Sequence, residues 1–242
     1  MSKQSRDVVS APAAVSENRL VERLPRTDRL RLLALCAPVQ LVCAKVLSEP
    51  GRPARHVYFP IDATVSLLTL QEGRAALEVS MVGREGMVGI QVALGVPLAS
   101  LRATVQGAGA AWRVGASAFR GELARSSALR RELHRYAHVL MTQLAISAAC
   151  LRFHEIRPRL ARWLLMSQDS THSATFHVTH EHLAAMLGVR RVGITQAAVA
   201  LQLAKVIEYR RGELTVLDRA ALEAASCGCY AAGLESYLSF DP

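Results

Sequence analysis

The sequence predicts an α+β chain in three parts: an antiparallel β-roll, then one long helix, then a helix pair followed by a β-hairpin. Three observations predict it. Short β-prone runs recur at spacings of about 8–12 residues, punctuated by Gly and Pro, from Val39 to Val114. An apolar stripe at steps of three and four runs from Leu129 to Leu151. Residues 178–198 carry a cap, a turn glycine and two apolar faces at matched spacings.

Residues 1–18 are small, polar and aperiodic, which predicts a disordered lead with no secretory signal. Residues 18–35 place Leu20, Leu24, Leu30 and Leu33 among Arg and Glu, a helical pattern that Pro25 divides. Runs 57–59, 65–70, 77–81, 88–94, 103–105 and 110–114 read as strands. Between them lie Pro60-Ile61-Asp62, Glu72-Gly73, Gly83-Arg84-Glu85-Gly86, Gly95-Val96-Pro97 and Gly107-Ala108-Gly109, all turn chemistry. Residues 19–125 are therefore expected to form a jelly roll.

Helical period takes over after Gly121. Leu129, Leu133, Tyr136, Leu140, Leu144, Ser147 and Leu151 make a stripe about 22 residues long, roughly 33 Å at 1.5 Å per residue. A helix over 126–153 overhangs a domain of that size, so the stripe is read as a dimer seam; the alternative is a core helix lying on its own sheet. Pro158 suits the first turn of a new helix, which puts the domain boundary at Phe153-His154-Glu155. A second domain then covers 154–230 and a tail 231–242, with a polar loop expected over 167–173.

Within that domain, Thr179 can cap a helix and Glu181 suits its first turn. Leu183 and Leu187 face inward, Ala184 is small where a second helix must pass, and Gly188 can take the positive φ of a sharp turn. Val189 plugs the angle, and Ile194, Ala197, Ala198 and Leu201 form the second helix's inner stripe. These residues together read as a helix-turn-helix. With Ile194 inward, Val192, Gln196 and Val199 point outward, with Arg191 and Thr195 alongside and Arg190 at the helix start. Arg can hold phosphate or a guanine edge, Gln an adenine edge, and Val a thymine methyl, when such a helix enters the major groove of double-stranded DNA. Residues 206–217 read as strand, turn and strand, a wing tipped by Arg210 and Arg211. From Arg157 to Arg211, eight Lys and Arg face three acids, a local balance of +5 suited to phosphate.

Composition sets limits. At 242 residues and 51% hydrophobic, the chain has material for packed cores, which excludes disorder over most of its length. Net charge is +9, and 26 of the 29 basic residues are Arg, a bias toward an anionic partner. Stretches free of Asp, Glu, Lys and Arg reach 16 residues, short of the roughly 20 a spanning helix needs, so no membrane partner is expected. Five scattered Cys read as reduced thiols of a cytoplasmic protein. No nucleophile elbow, phosphate loop or His-Glu-x-x-His is present, and no enzyme is expected.

The chain from Asn18 to Tyr230 resembles the Crp/Fnr transcription regulators, named for the cyclic-AMP receptor protein and the fumarate–nitrate regulator. The order of parts is similar, and Val57-Tyr58-Phe59-Pro60, residues 82–89, Leu187-Gly188-Val189-Arg190-Arg191 and Cys227-Gly228-Cys229-Tyr230 look like a proteobacterial branch with a degenerate sensor. The resemblance implies a cyclic-nucleotide-binding-like roll, a homodimer on a near-palindromic operator, and RNA polymerase as a candidate further partner. Nucleotide-binding members hold a Glu on the ribose and an Arg on the cyclic phosphate. Here the corresponding stretches read Gly89-Ile90-Gln91 and Ala99-Ser100-Leu101, with Arg102 and Glu85 out of register, so no cyclic nucleotide is expected and the effector is unknown. The alternative is an effector-responsive sensor or scaffold whose winged helix contacts protein.

Cys36 and Cys43 stand without further close Cys, which argues against an iron–sulfur cluster of the fumarate–nitrate kind. Cys227-x-Cys229 offers two of the four ligands of a closed metal site and is read as structural; His134 and His138, at i, i+4, are read as a polar flank of the seam. No metal and no cofactor are expected.

Overall fold

A computed structural model describes residues 18–70, 76–171 and 173–238. The expected lead up to residue 17, the Glu72-Gly73 turn, His172 and residues 239–242 of the expected tail lie outside the described residues. Asn18, placed in the lead by its sequence, is buried instead: it caps α1 (Arg19–Glu22) and its amide donates to the carbonyls of Pro60 and Gly86. Pro25 then opens α2 (Arg26–Ala34).

The roll holds seven strands: β1 (Ala37–Leu41), β2 (Val46–Ser48), β3 (His56–Pro60), β4 (Thr64–Thr69), β5 (Leu77–Val82), β6 (Arg102–Gly107) and β7 (Gly109–Gly115). They form two antiparallel sheets, ordered β1-β7-β3 and β2-β6-β4-β5. Leu41, Tyr58, Val65, Leu67, Val82, Val105 and their neighbours fill the space between them. The sequence reading misses β1 and β2, which are short edge strands with mixed burial. It also overextends at 88–94. Gly89 turns left-handed at φ 98°, so Val88 makes only a single bridge to Tyr58 and Ile90–Val92 coil into a 3-10 turn.

Helical structure resumes earlier than expected, with α3 (Ala116–Arg125) running through Gly121. Ser126 ends it and caps α4 (Ser127–Phe153) by accepting from Leu129 N. Leu129, Leu133 and Tyr136 of α4 are at most 5% exposed and pack with Val57, Phe59, Phe119 and the two N-terminal helices. Leu140 and half-buried Leu144 lie over the core between the sheets, and Leu151 is half-buried. Leu129, Leu133, Tyr136 and Leu140 of the stripe are therefore covered by the chain's own core, which takes them out of the expected seam. Steps of three and four report that one face of a helix is covered, not what covers it. The face left open runs His134, His138, Met141, Ala145, Ala148 and Arg152, again at steps of four and three.

Helix α4 stops at His154, and α5 (Ile156–Thr171) starts with Pro158 in its first turn. The loop expected over 167–173 is helical as far as Thr171. Ser170 and Thr171 return their hydroxyls to the carbonyls one turn back, which lets polar residues sit inside the helix. After β8 (Thr175–His177) come α6 (His180–Leu187), α7 (Arg191–Leu203), β9 (Ile207–Arg210), β10 (Glu213–Val216), α8 (Arg219–Ala225) and α9 (Cys229–Leu238). Residues 231–238 of the expected tail are thus part of α9, which lies along α4 with Gln143 donating to Gly233 O at 2.8 Å.

The second domain also docks on the roll. Trp163 Nε1 donates to Glu78 Oε1 at 2.9 Å, and Met81 of β5 enters the second domain's core. Burial pushes the Glu78 carboxyl up to about 7, against the hydrogen bonds from Ser66 and Trp163 and the Arg162 charge that favour its ionised form. Between the ordinary 4.5 and about 7 the folded chain holds the proton that the unfolded chain has lost, so stability falls as pH rises through that window. Glu78→Gln, which keeps the shape without the titration, should raise the thermal midpoint at pH 8 and change it little at pH 4. Equal shifts at both pH values would show that burial does not raise the Glu78 carboxyl.

Candidate nucleic-acid interface

The interface is built on a helix pair whose axes bend by 111°. Thr179 holds the start of α6 by accepting from His182 N at 3.1 Å, and its exposed hydroxyl keeps a proton to donate. Gly188 ends α6 at φ 61° and lets Val189 N return to Ala184 O at 3.0 Å. Leu183, Ala184 and Leu187 meet Ile194, Ala197, Ala198 and Leu201 in one buried cluster, the contacts that the spacing predicts.

Burial of that face decides what α7 shows to the outside. Val192 is 60% and Val199 46% exposed, and Gln196 and Arg191 are exposed on the same side. Arg190 stands at the N-cap position and contributes no side-chain cap, so the first N–H groups of α7 are open where anions favour a helix start. Thr195 is the exception. Its hydroxyl donates to Arg191 O and accepts from His180 Nδ1 at 3.0 Å, which holds it half-buried.

His180, to which the sequence analysis assigns no role, organises the site. Its ring stacks on Tyr209 of the wing at 4.5 Å, and Tyr209 OH donates to Val178 O at 2.9 Å. One side chain thus ties α6, α7 and β9 together. Burial, and then the Arg191 charge, lower its pKa, which favours the neutral ring. The only sequence signal is a histidine directly after a capping residue. The wing closes through Arg211 at φ 51° and Gly212 at φ 86°, the paired positive angles of a two-residue hairpin turn. Arg210 and Arg211 are exposed at its tip, with Arg210 held by Glu208 at 2.9 Å in a pair too exposed to hold it strongly. The strand β8, absent from the sequence reading, adds a third member to the wing in the order β8-β10-β9.

Residues 158–225 match the family model described as the Crp-like helix-turn-helix domain. They are a Crp-like helix-turn-helix domain. About four fifths of the chain is also similar in structure to solved proteins at low identity. FixK2 from Bradyrhizobium japonicum shares 13% identity over 79% of this chain and 98% of that one, with a TM-score of 0.67. A Crp-family transcriptional regulator from Thermus thermophilus shares 20% over 78% and 96%, at 0.64. The c-di-GMP-responsive global regulator CLP from Xanthomonas campestris shares 15% over 80% and 100%, at 0.65. No curated protein matches the sequence. The chain therefore has the fold of the Crp/Fnr transcription regulators, with a helix-turn-helix of the Crp type. Among the described residues, no single helix is long and apolar enough to cross a membrane.

The Crp-like domain is held against the roll by its helix α6. His182 Nε2 lies 2.8 Å from Gln106 Oε1, and a Cβ on Gly188 would come within 2.7 Å of Leu77 Cδ1. Gly188→Ala should cost about 1–2 kcal/mol, set mainly by the left-handed backbone, because Leu77 can swing aside. Chemical denaturation of the single variant and of Gly188→Ala with Leu77→Ala measures this. Full recovery in the double variant would assign the cost to the clash instead.

Proposed function

We propose that this protein is a sequence-specific regulator that binds double-stranded DNA as a homodimer, reading bases with α7 and gripping phosphates with the wing. The observation that carries the reading is the exposed row Arg191, Val192, Gln196 and Val199 on a helix whose opposite face is fully packed. Arg190, Thr179, Arg210 and Arg211 surround that row with donors for backbone phosphates. Thr195, tied to His180, supports the site from within.

Self-association is assigned to the open face of α4. Met141, 60% exposed, sits between His138 and Ala145, and Ala145 and Ala148 are small enough for a second helix to come close. Two Crp-like domains related by a two-fold axis would then meet half-sites about one turn of DNA apart. The roll is assigned no cyclic nucleotide. Arg102, the nearest cation to the altered cassette, is paired with Glu49 at 2.9 Å, and Glu85 accepts from Gly83 N at 2.7 Å.

Selection on randomised DNA tests the reading helix. Gln196→Ala should relax preference at one base pair per half-site, by roughly 1–3 kcal/mol. Arg210→Ala should weaken all sequences alike and flatten the salt slope by about one unit per site. An unchanged motif with Gln196→Ala, together with an altered one for Arg210→Ala, would reverse the two roles. A binding partner insensitive to salt would point to protein rather than DNA.

Sedimentation tests the pairing. Met141→Glu should give monomers of unchanged stability. Leu133→Ala should lower the unfolding free energy by about 2–5 kcal/mol, as a cavity in the chain's own core does. A dimeric Met141→Glu chain would move the interface elsewhere.

A further inference from the structure

At the hinge between α4 and the Crp-like domain, four soft ligands converge that lie far apart in sequence. Cys150 Sγ is 3.6 Å from Cys227 Sγ, and Cys229 Sγ is 3.6 Å from His154 Nδ1. All four ligand atoms fall within 4.8 Å of one another. A tetrahedral zinc ion with bonds of about 2.3 Å to sulfur and 2.0 Å to nitrogen sets its ligand atoms about 3.5–3.8 Å apart. We propose that Cys150, His154, Cys227 and Cys229 form a zinc site that fastens the end of α4 to the start of α9.

Each ligand is placed by local structure. Cys150 and His154 are one helical turn apart, and His154 is where α4 ends, so its ring can swing over the helix terminus. Cys227 and Cys229 flank Gly228 at the start of α9, where open N–H groups favour negative charge. Cys150 and Cys227 are buried and the other two half-buried, which closes the site on its protein side. Three sulfurs and one imidazole nitrogen suit a soft, tetrahedral ion and not magnesium or calcium, which take oxygen.

The charges around the cluster point the same way. Arg159 and Arg162 are 7% and 8% exposed and lie within electrostatic reach of Cys150. Among the described residues neither makes an ion pair with a carboxylate within 4 Å, and Arg162 Nε is buried without a hydrogen-bond partner. Glu78 is the carboxylate near Arg162, and its oxygens are taken by Ser66 and Trp163. Buried cations need a counter-charge. When zinc binds, three thiols release their protons and the neutral imidazole coordinates through Nδ1. The assembled site then carries one net negative charge beside the two arginines.

The ligand pairs flank the Crp-like domain at its two ends. Occupancy fixes the angle at which that domain leaves α4, and loss of the ion frees the hinge.

Metal analysis of the full chain, purified in reductant, tests the site without any DNA. The expected result is one zinc per chain. In the metal-free chain, added cobalt(II) should give the visible bands of a tetrahedral ion and a thiolate-to-metal band. Cys229→Ser should weaken zinc binding by about a hundredfold or more, whereas His154→Cys should keep one zinc and Cys43→Ser should change nothing. The cobalt spectrum uses the unaltered chain, so a variant that misfolds does not shield the proposal. Reduced chain that stays metal-free in excess zinc would overturn it. So would zinc bound equally by Cys150→Ser and Cys229→Ser, or a chain isolated with a Cys150–Cys227 disulfide in place of the metal.

Discussion

Burial along one side of α4 is the constraint on which the other parts depend. Its first half closes the core beneath β3 and α3 through Leu129, Leu133 and Tyr136. Its middle covers the space between the two sheets with Leu140. Its last turns receive α9 through Gln143 and bring Cys150 to Cys227. The turn at residues 83–86 is fitted to the same helix. A Cβ on Gly86 would come within 2.4 Å of the Tyr136 ring, whose hydroxyl donates to Met87 O at 3.1 Å. The absence of a side chain there lets the roll seat against the helix at all.

The Crp-like domain is legible in the sequence because its geometry is local. A cap at Thr179, a left-handed glycine at 188 and inner stripes at fixed spacing all act within about twenty residues, where chain stereochemistry decides the outcome. The features that escape depend on distant partners. Strands β1 and β2 exist because β7 and β6 offer them hydrogen bonds, and their own residues give little alternation. The stripe on α4 is visible, but its covering is not, because a partner helix and the chain's own sheets demand the same apolar residues. Cys150 and His154 show a four-residue spacing on their own, and only the return of α9 along α4 supplies the second pair.

The roll and the Crp-like domain share a contact surface as well as a covalent link. Strand β5 places Leu77 under Gly188, Glu78 against Trp163 and Met81 in the second core, and β6 offers Gln106 to His182. Strand β5 is thus where the roll meets both α5 and α6. The chain link at His154 and the docking on β5 are two separate attachments of the Crp-like domain to the rest of the chain.

The wing tip sets folding against charge. Glycine at both central turn positions would suit the paired positive angles, yet the first is Arg211 at φ 51°. An L-residue with a long side chain in that region gives up about 1 kcal/mol of hairpin stability. What the chain keeps is an exposed cation beside Arg210 at the hairpin tip. A laboratory search for thermostable forms would be drawn to this residue first, and would trade its charge for a sturdier wing.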